Sequence, residues 1–287
     1  MKVLIIGGTG TVGHAVLEKL LADGHQPTVM TRSTEKAARQ PAPAVVADLE
    51  KPATLSAAFT DVEAVFLAAT VSPTETTQSL AAVEAARAAG VQRIVYLSVA
   101  MPPGSDVIPH FASKIPVERS IQASGIPWTI LRPNNFFQND LWLRDPIAKH
   151  GVYPQPLGGR GCNRVDVRDI ADAAANAFTK GISGLFPLHG PRGLTGDDTA
   201  RVYSEALGRP VRYAGDDLEA WAQQASTMFP PWMVHDFRIM YDYFITHGLL
   251  PSGRDFAAQE QVLGHAPRTF ERFVAELAPD WKKLVQA

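Results

Sequence analysis

The N-terminal stretch of this chain reads Val3-Leu4-Ile5-Ile6-Gly7-Gly8-Thr9-Gly10-Thr11-Val12-Gly13. Its leading apolar residues predict a short buried strand, and the apolar spacing over Val12–Ala22 predicts a helix that follows at once. Glycines in the turn between them permit a tight bend, a close approach of the backbone to a pyrophosphate, and packing of the helix on the strand. The stretch therefore predicts a phosphate-binding turn, with a glycine-rich turn that binds no ligand as the alternative.

The start of the first helix completes this predicted site. A helix N-terminus offers free N–H groups and the positive end of its dipole to phosphates. The order of strand, turn and helix over residues 3–22 is the context that a dinucleotide site requires. We therefore expect a dinucleotide cofactor to contact Gly7, Thr9, Gly10, Thr11 and Val12.

The first half of the chain alternates predicted strands with predicted helices. Strands are expected at Val3–Ile6, Thr28–Thr31, Ala44–Ala47, Ala64–Ala68, Arg93–Leu97 and Trp128–Leu131. Helices are expected at Val12–Ala22, Thr54–Phe59, Thr77–Ala89 and Phe111–Ser124, with Gly24, Gly90 and Gly125 as stop signals. This alternation predicts an α/β protein with a Rossmann-type, doubly wound parallel sheet.

The second half is less regular and predicts a smaller mixed α/β lobe. A loop is expected at Gly151–Gly161, and strands at Arg164–Val167, Leu185–Leu188 and Val211–Tyr213. Helices are expected at Asp169–Phe178, with Asp169 as N-cap, and at Gly196–Leu207, Asp217–Ala225 and Thr269–Leu277. We expect a nucleotide-binding domain over residues 1–155 and a substrate lobe over residues 156–287, with some strands of the lobe returning to the main sheet.

Composition excludes several classes of function. Among 287 residues, 27 Lys and Arg stand against 29 Asp and Glu, so no basic excess exists to bind nucleic acid. The single Cys162 excludes an internal disulfide framework and a Cys-rich zinc site, and the eight histidines show no metal-binding spacing. No signal peptide or membrane-spanning run is visible, so we expect a cytoplasmic protein without a membrane anchor or a metal.

The end of the second predicted strand indicates which dinucleotide binds. An acidic residue there would accept a hydrogen bond from the ribose 2′-hydroxyl of NAD, but this chain has Val29-Met30-Thr31-Arg32-Ser33. Arg32 can pair with the 2′-phosphate of NADP, which NAD lacks, so NADP(H) is the favoured cofactor. The alternative is that Arg32 is a solvent-exposed surface residue with no role in binding. Asp48, after the third strand, either borders the adenine or caps the helix that follows.

Several later segments narrow the class further: His110-Phe111-Ala112-Ser113-Lys114, Ser124 to Phe136, Val165 to Ala171, Glu205 to Val211 and Pro267 to Glu271. Together with the glycine turn, they resemble the atypical NmrA-like branch of the short-chain dehydrogenase/reductase superfamily. The resemblance implies an NADP(H)-binding Rossmann fold with a smaller C-terminal lobe. Within this branch, some members resemble quinone, enone or imine reductases, whereas others act as redox-responsive regulators.

The resemblance also suggests catalytic residues. Typical members of the superfamily carry Tyr-x-x-x-Lys, in which Tyr donates a proton and Lys holds the ribose; here His110 stands in place of Tyr and Lys114 is retained. The spacing places both on one helix face, one turn apart. His110 is either a proton donor or a polar residue at a helix start, and Ser98 matches the serine that orients substrate.

Strand ends supply the remaining predicted contacts. Open α/β sheets bind ligands beyond the carboxyl ends of their strands. We therefore expect Ala69 and Thr70 to pass close to the cofactor, and Pro133, Asn134, Asn135 and Phe136 to lie beside the nicotinamide. The stretch Trp221…Met228-Phe229-Pro230-Pro231-Trp232-Met233 either walls an apolar substrate pocket, forms a partner surface, or belongs to the core of the lobe.

These observations favour an NADPH-dependent oxidoreductase that reduces a small apolar electrophile such as a quinone, enone, carbonyl or imine. The alternative is a non-catalytic, NADP(H)-binding regulator that senses redox state and acts on a protein partner. An isomerase or epimerase that retains its cofactor is a third hypothesis. The expected partner is a small-molecule substrate, and a homodimer or a protein partner is left open.

Overall fold

Between residues 1 and 284, the part of the chain that the computed structural model describes, the strands form a seven-stranded parallel sheet and a separate two-stranded one. The strands are β1 Lys2–Ile6, β2 Gln26–Thr31, β3 Ala44–Val46, β4 Ala64–Leu67, β5 Arg93–Leu97, β6 Trp128–Pro133, β7 Val152–Tyr153, β8 Gly184–Leu188 and β9 Arg212–Tyr213. The order in the main sheet is β3-β2-β1-β4-β5-β6-β8, and β7 pairs with β9. Strands are added on one side of β1 up to β3 and on its other side from β4 onward, and this switch in strand order creates the crevice where ligands bind in doubly wound sheets.

Helices connect and cover the strands. They are α1 Thr11–Ala22, α2 Thr34–Ala38, α3 Leu55–Ala58, α4 Glu75–Ala88, α5 Pro109–Ala112, α6 Lys114–Ala123, α7 Arg144–Ala148, α8 Val167–Lys180, α9 Gly196–Leu207, α10 Leu218–Ala225, α11 Pro231–His247, α12 Gly253–Leu263 and α13 Phe270–Lys283. Short 3-10 turns cover Pro52–Thr54, Ser105–Val107 and Phe137–Leu143. Within residues 1–284 no helix has both the length and the apolar character needed to span a bilayer.

The main sheet is buried on both faces, as its continuous apolar strands predict. Val3 and Ile5 of β1 pack toward α1, α8 and α12, whereas Leu4 and Ile6 pack toward α3, α4 and α6. Successive side chains of a strand point to opposite faces, so a strand covered on both sides needs apolar residues at every position. A third core joins α7, α9, α11 and α13 in the C-terminal part of the chain.

The predicted Rossmann-type fold is confirmed. The six strands expected in the first half are all present, and Gly24, Gly90 and Gly125 follow helices with φ of +77°, +69° and +77°. Strand β8 returns from the C-terminal half to the main sheet, beside β6. The boundary near residue 155 stays a prediction.

Some predicted elements are wrong. The helix expected over Phe111–Ser124 is divided into α5 and α6. Pro116 explains the break, because a proline lacks the N–H that would bond to the carbonyl of Ala112 and its ring crowds that carbonyl. The loop expected at Gly151–Gly161 contains β7, and the tail helix runs on to Lys283.

The segment before α8 also differs from its prediction. No strand forms at Arg164–Val167; Val165 makes a single parallel bridge with Phe136, and the helix begins at Val167. Asp166, not Asp169, is the N-cap, and its side chain accepts a hydrogen bond from the N–H of Arg168 at 2.9 Å. Asp169 instead accepts from the N–H of Arg268 at 2.8 Å, which ties the segment before α13 to α8.

Candidate active site

The glycine turn has the close contacts that make its glycines necessary. Gly7 has φ of +83°, and a Cβ there would lie 2.1 Å from the carbonyl oxygen of Ala68. A Cβ at Gly13 would lie 2.2 Å from the carbonyl oxygen of Gly7, so α1 packs directly on the turn. At Gly10 an added Cβ would meet only the oxygen of Gly7, at 3.4 Å. The turn is therefore closed around Gly7 and Gly13 and open at Gly10.

The start of α1 suits an anionic ligand. Gly10 is the N-cap, no side chain caps the helix, and no acidic residue lies in its first turn. Thr9, Gly10 and Thr11 are exposed, whereas the side chain of Val12 is only 6% exposed, so Val12 can contribute only its backbone. Exposed N–H groups at a helix N-terminus bind phosphate, so the residues present fit the pyrophosphate of a dinucleotide.

Two further predicted cofactor contacts follow neighbouring strands. Arg32 is exposed directly after β2 and forms no ion pair with any residue between 1 and 284. Asp48 is half-buried, and its side chain accepts from the N–H of Glu50 at 3.1 Å. The alternative role of Asp48 as a helix cap is wrong, because the 3-10 turn starts at Pro52 and Lys51 occupies its N-cap position.

Ala69 and Thr70 follow β4 and come directly after Ala68, whose carbonyl oxygen lies close to Gly7. Ala69 is half-buried and Thr70 is exposed. Because β1 and β4 are adjacent and parallel, these residues lie at the same edge of the sheet as the glycine turn. This position is compatible with the predicted cofactor contact.

His110 forms a pair with a residue that sequence reasoning missed. Its ring Nδ1 lies in short hydrogen-bond contact with Oδ1 of Asp236, and its backbone N–H donates to Oδ2 at 3.0 Å. Asp236 is buried in α11, and the His110 side chain is 11% exposed. The rings of Phe111 and Phe237 flank the imidazole edge-on, with centroids 4.8 and 5.7 Å away.

Lys114 forms a second pair that sequence reasoning missed. Its ammonium lies against Oε1 of Glu75, at the start of α4, and both side chains are buried. Ser113 donates to the other oxygen of Glu75 at 3.3 Å. The single helix predicted to carry His110 and Lys114 is interrupted at Ser113, so the two residues lie on separate helices. Each side chain has its own carboxylate partner.

Ser98 lies one residue beyond β5 and is engaged on the α6 side of the sheet. Its hydroxyl donates to Oε1 of Glu118 at 2.6 Å, and Arg132 forms two hydrogen bonds to the same carboxylate at 2.9 and 2.6 Å. A direct contact between Ser98 and a substrate would require the hydroxyl to leave Glu118. The substrate-orienting role of Ser98 stays a prediction.

The residues at the end of β6 are held by contacts with distant segments. Pro133 is the last residue of the strand, and Asn134 is buried, with its side-chain amide donating to the carbonyl of Leu249 at 2.8 Å. Arg164 donates to Oδ1 of Asn135 at 3.2 Å and to the carbonyl of Phe136 at 2.9 Å. The segment predicted to lie beside the nicotinamide is thus held by hydrogen bonds to Arg164 and Leu249.

Arg164, which donates to Asn135 and Phe136, is itself fully buried. Its guanidinium bonds to both oxygens of Asp140, and both side chains are fully buried. The hydroxyl of Tyr203 donates to Asp140 at 3.0 Å, and Tyr153 lies 3.2 Å from the guanidinium. Burial alone would lower the pKa of Arg164, but the Asp140 carboxylate raises it overall, so the arginine stays charged. The adjacent Cys162 thiol has its pKa raised to about 12 by burial, which makes it unreactive.

The stretch from Trp221 to Met233 divides between core and surface. Trp221 packs on Tyr241 with ring centroids 4.9 Å apart. Met228 is 70% exposed and Trp232 is 37% exposed, near the start of the helix that carries Asp236. Core packing therefore explains only part of this stretch.

One cluster elsewhere has the composition of a metal site but not its chemistry. Asp169, Asp172 and His265 have ligand atoms within 4.8 Å of one another. The guanidinium of Arg268 bonds to both carboxylates and lies 2.7 Å from Asp172. The arginine already supplies the positive charge that a metal ion would bring.

A doubly wound parallel sheet with a glycine turn between its first strand and helix defines a Rossmann-type, dinucleotide-binding class of protein. The chain belongs to the NmrA-like family, whose family model matches residues 1–274. The resemblance stated from the sequence is thereby confirmed.

Two relatives of known activity are reductases. The chain is 35% identical to an NAD(P)H azoreductase of Xenophilus azovorans, over 78% of this chain and 80% of that protein. It is 32% identical to a (4-alkanoyl-5-oxo-2,5-dihydrofuran-3-yl)methyl phosphate reductase of Streptomyces griseus, over 80% of this chain and 82% of that protein.

Among solved structures, the chain resembles an NADPH-dependent quinone oxidoreductase of Escherichia coli in complex with NADPH. The TM-score is 0.83 and the sequences are 25% identical, over 96% of this chain and 99% of that one.

Proposed function

We propose that this protein is an oxidoreductase that uses NADPH to reduce a small apolar electrophile, such as a quinone, enone, carbonyl or imine. The observation that carries the proposal is the glycine turn, which is closed around Gly7 and Gly13 and open at Gly10, directly before an uncapped helix N-terminus. Family membership and two relatives that are reductases, one of them an NAD(P)H azoreductase, support the oxidoreductase class and the nicotinamide cofactor.

The residues around the crevice would divide the binding of the cofactor among them. The turn and the start of α1 would hold the pyrophosphate, and Arg32 would pair with the 2′-phosphate, because its guanidinium has no other anionic partner within residues 1–284. Lys114 would hold the ribose from its position beside Glu75. Bound here, NADPH supplies the hydride for the reduction.

The substrate side of the proposal depends on apolar surface and a proton donor. Met228 and Trp232 leave apolar surface exposed near α11, which favours an apolar substrate. His110 would deliver a proton to the reduced substrate, a role that imidazole performs near neutral pH. Asn134 to Phe136, supported by Arg164, would provide a rigid wall beside the nicotinamide.

The test follows NADPH absorbance while the purified protein meets a panel of quinones, enones, aldehydes, cyclic imines and an azo dye. Turnover by the parent protein is expected with at least one acceptor. Loss of turnover in Lys114→Ala and a slower reaction in His110→Ala are expected as well. Tight NADPH binding with no turnover on any acceptor would contradict the proposal and favour the regulator hypothesis.

The Lys114 variant needs a matched control, because removing this lysine leaves the Glu75 carboxylate buried and unpaired. The double variant Lys114→Met/Glu75→Gln removes both charges together. It should unfold at a urea concentration close to that of the parent, yet still bind NADPH more weakly. Parent-like NADPH affinity in this double variant would remove Lys114 from the proposed cofactor contacts.

A further inference from the structure

We propose that Asp236 is a positioning residue for His110: it keeps the ring proton on Nδ1 and thereby presents Nε2 to the ligand. The inference rests on the proposed function for its chemistry, but its geometry stands alone. Asp236 contacts two nitrogen atoms of the same residue, the ring Nδ1 and the backbone nitrogen, the latter at 3.0 Å. Both oxygens of the carboxylate are therefore committed to His110.

The backbone contact makes the arrangement directional. A backbone N–H is always a donor, so Oδ2 must accept from it. The ring nitrogen faces the other oxygen of an ionised carboxylate, which can only accept, so Nδ1 must carry a proton. In the neutral ring, Nε2 is then the free acceptor, and no hydrogen-bond partner for it is found within residues 1–284.

The surroundings of the ring favour a fixed orientation over a loose surface contact. Phe111 and Phe237 flank the imidazole edge-on, and Asp236 is only 5% exposed. Asp236 lies on α11, whereas His110 lies on α5, which follows the loop that leaves the carboxyl end of β5. The carboxylate therefore holds one side of the ring and leaves the opposite nitrogen free of a hydrogen-bond partner among residues 1–284.

This pairing accounts for how a histidine can replace a tyrosine as proton donor. Nε2 takes a proton from solvent, and the imidazolium that forms is balanced by Asp236 on the other side of the ring. After hydride transfer to the substrate, Nε2 gives its proton to the substrate anion and the ring returns to its neutral form. One hydride from NADPH and one proton from solvent then balance a two-electron reduction.

The test exploits the difference between a carboxylate and an amide. In Asp236→Asn the side chain has one acceptor oxygen, which the backbone N–H of His110 requires, so the NH₂ group would face Nδ1. The ring must then accept at Nδ1 and carry its proton on Nε2. Nitrogen-15 NMR of histidine-labelled protein should report Nδ1–H for His110 in the parent and Nε2–H in Asp236→Asn, with His110→Ala used to assign the signal. An Nε2–H ring in the parent, or an unchanged tautomer in Asp236→Asn, would overturn the proposal.

Kinetic measurements distinguish positioning of the His110 ring from a contact that only stabilises the packing of α5 on α11. In Asp236→Asn, kcat should fall about 100-fold with little change in the KM for NADPH. Asp236→Glu should recover part of that loss, and the double variant His110→Ala/Asp236→Asn should be no slower than His110→Ala, because Asp236 acts through the ring. Independent, multiplying losses would contradict the proposal.

Asp242→Asn, an exposed carboxylate on the same helix, is the matched control and should keep the parent rate. If the parent protein turns over no acceptor, the proposed function fails, and the NMR measurement still decides the role of Asp236.

Discussion

The glycines of the N-terminal turn differ in how much space surrounds them. Some are needed for the turn to fold, whereas another is free to be substituted without disturbing the fold. At Gly7 and Gly13 a Cβ would come within 2.1 and 2.2 Å of backbone oxygens, so substitution there disturbs the turn itself. At Gly10 the nearest atom would be 3.4 Å away, and φ is −93°, which any residue adopts. No contact within residues 1–284 requires a glycine at position 10, which leaves the predicted ligand contact as the reason for it.

Gly10→Ala should therefore fold normally and bind NADPH at least ten-fold more weakly, because the methyl group would occupy the space of the pyrophosphate. Fluorescence titration with NADPH and urea unfolding measure the two effects separately. Gly159→Ala is the control, since its Cβ would enter open space. An unchanged NADPH affinity in Gly10→Ala would argue against the turn as the pyrophosphate site.

Arg32 provides a test of cofactor choice at the same scale. Arg32→Ala should lower the affinity for NADPH about ten-fold and leave that for NADH nearly unchanged, since only NADPH carries the 2′-phosphate. Arg39, an exposed arginine paired with Glu35 on α2, supplies the control substitution Arg39→Ala. Equal losses for both dinucleotides in Arg32→Ala would show that Arg32 does not read the phosphate.

At the scale of elements, the turn from Phe137 to Leu143 depends on one buried ion pair. Arg164 precedes α8 and Asp140 lies in this turn, while Tyr203 reaches the same carboxylate from α9. The ion pair and Tyr203 thus connect this turn, the segment before α8, and α9. A buried ion pair contributes little compared with apolar packing, but the loss of one partner leaves an uncompensated charge.

Arg164→Met should therefore lower the free energy of unfolding by about 3–5 kcal/mol, because Asp140 would remain fully buried without its partner. Urea unfolding followed by circular dichroism gives the value. Arg144→Met, at an exposed ion pair close in sequence, should have little effect. Equal stability of the two variants would mean that Asp140 finds another partner or becomes protonated.

At the scale of the whole molecule, polar contacts join the two halves of the chain at several points. His110 reaches Asp236, and the buried His189 at the end of β8 lies 3.3 Å from the side-chain nitrogen of Asn134 after β6. Burial lowers the pKa of His189 from 6.5 to about 4, so its ring is neutral in the folded protein.

This shift makes stability depend on pH. As pH falls from 6.5 toward 4, the unfolded chain takes up a proton at His189 that the folded protein does not, so stability is lost over that window. The loss between pH 7 and pH 5 should be about 2 kcal/mol larger in the parent than in His189→Gln. His150→Gln, at an exposed histidine, should keep the parent's pH dependence; the same dependence in His189→Gln would contradict the assignment.

Local patterns in the sequence determined the architecture of the nucleotide-binding half. Short apolar runs predicted its strands, because a strand covered on both faces needs apolar residues at every position. Glycine spacing located the turn after β1, since tight turns and close contacts restrict the residue type. The long helix α11 escaped prediction because it is rich in aromatic residues, which have modest helix propensity, and because Pro230 at its N-cap position offers no side-chain cap.

The environment of the site residues was decided only by the tertiary structure. Asp236 is 126 residues away from His110, and Glu75 is 39 residues away from Lys114. Neither carboxylate belongs to a motif with its partner, because helices from different parts of the chain bring them together after folding. The sequence by itself determined the sheet, the glycine turn and the positions of His110 and Lys114. Long-range packing alone determined which carboxylate each of them faces, and hence which atoms of each side chain are free to act on a ligand.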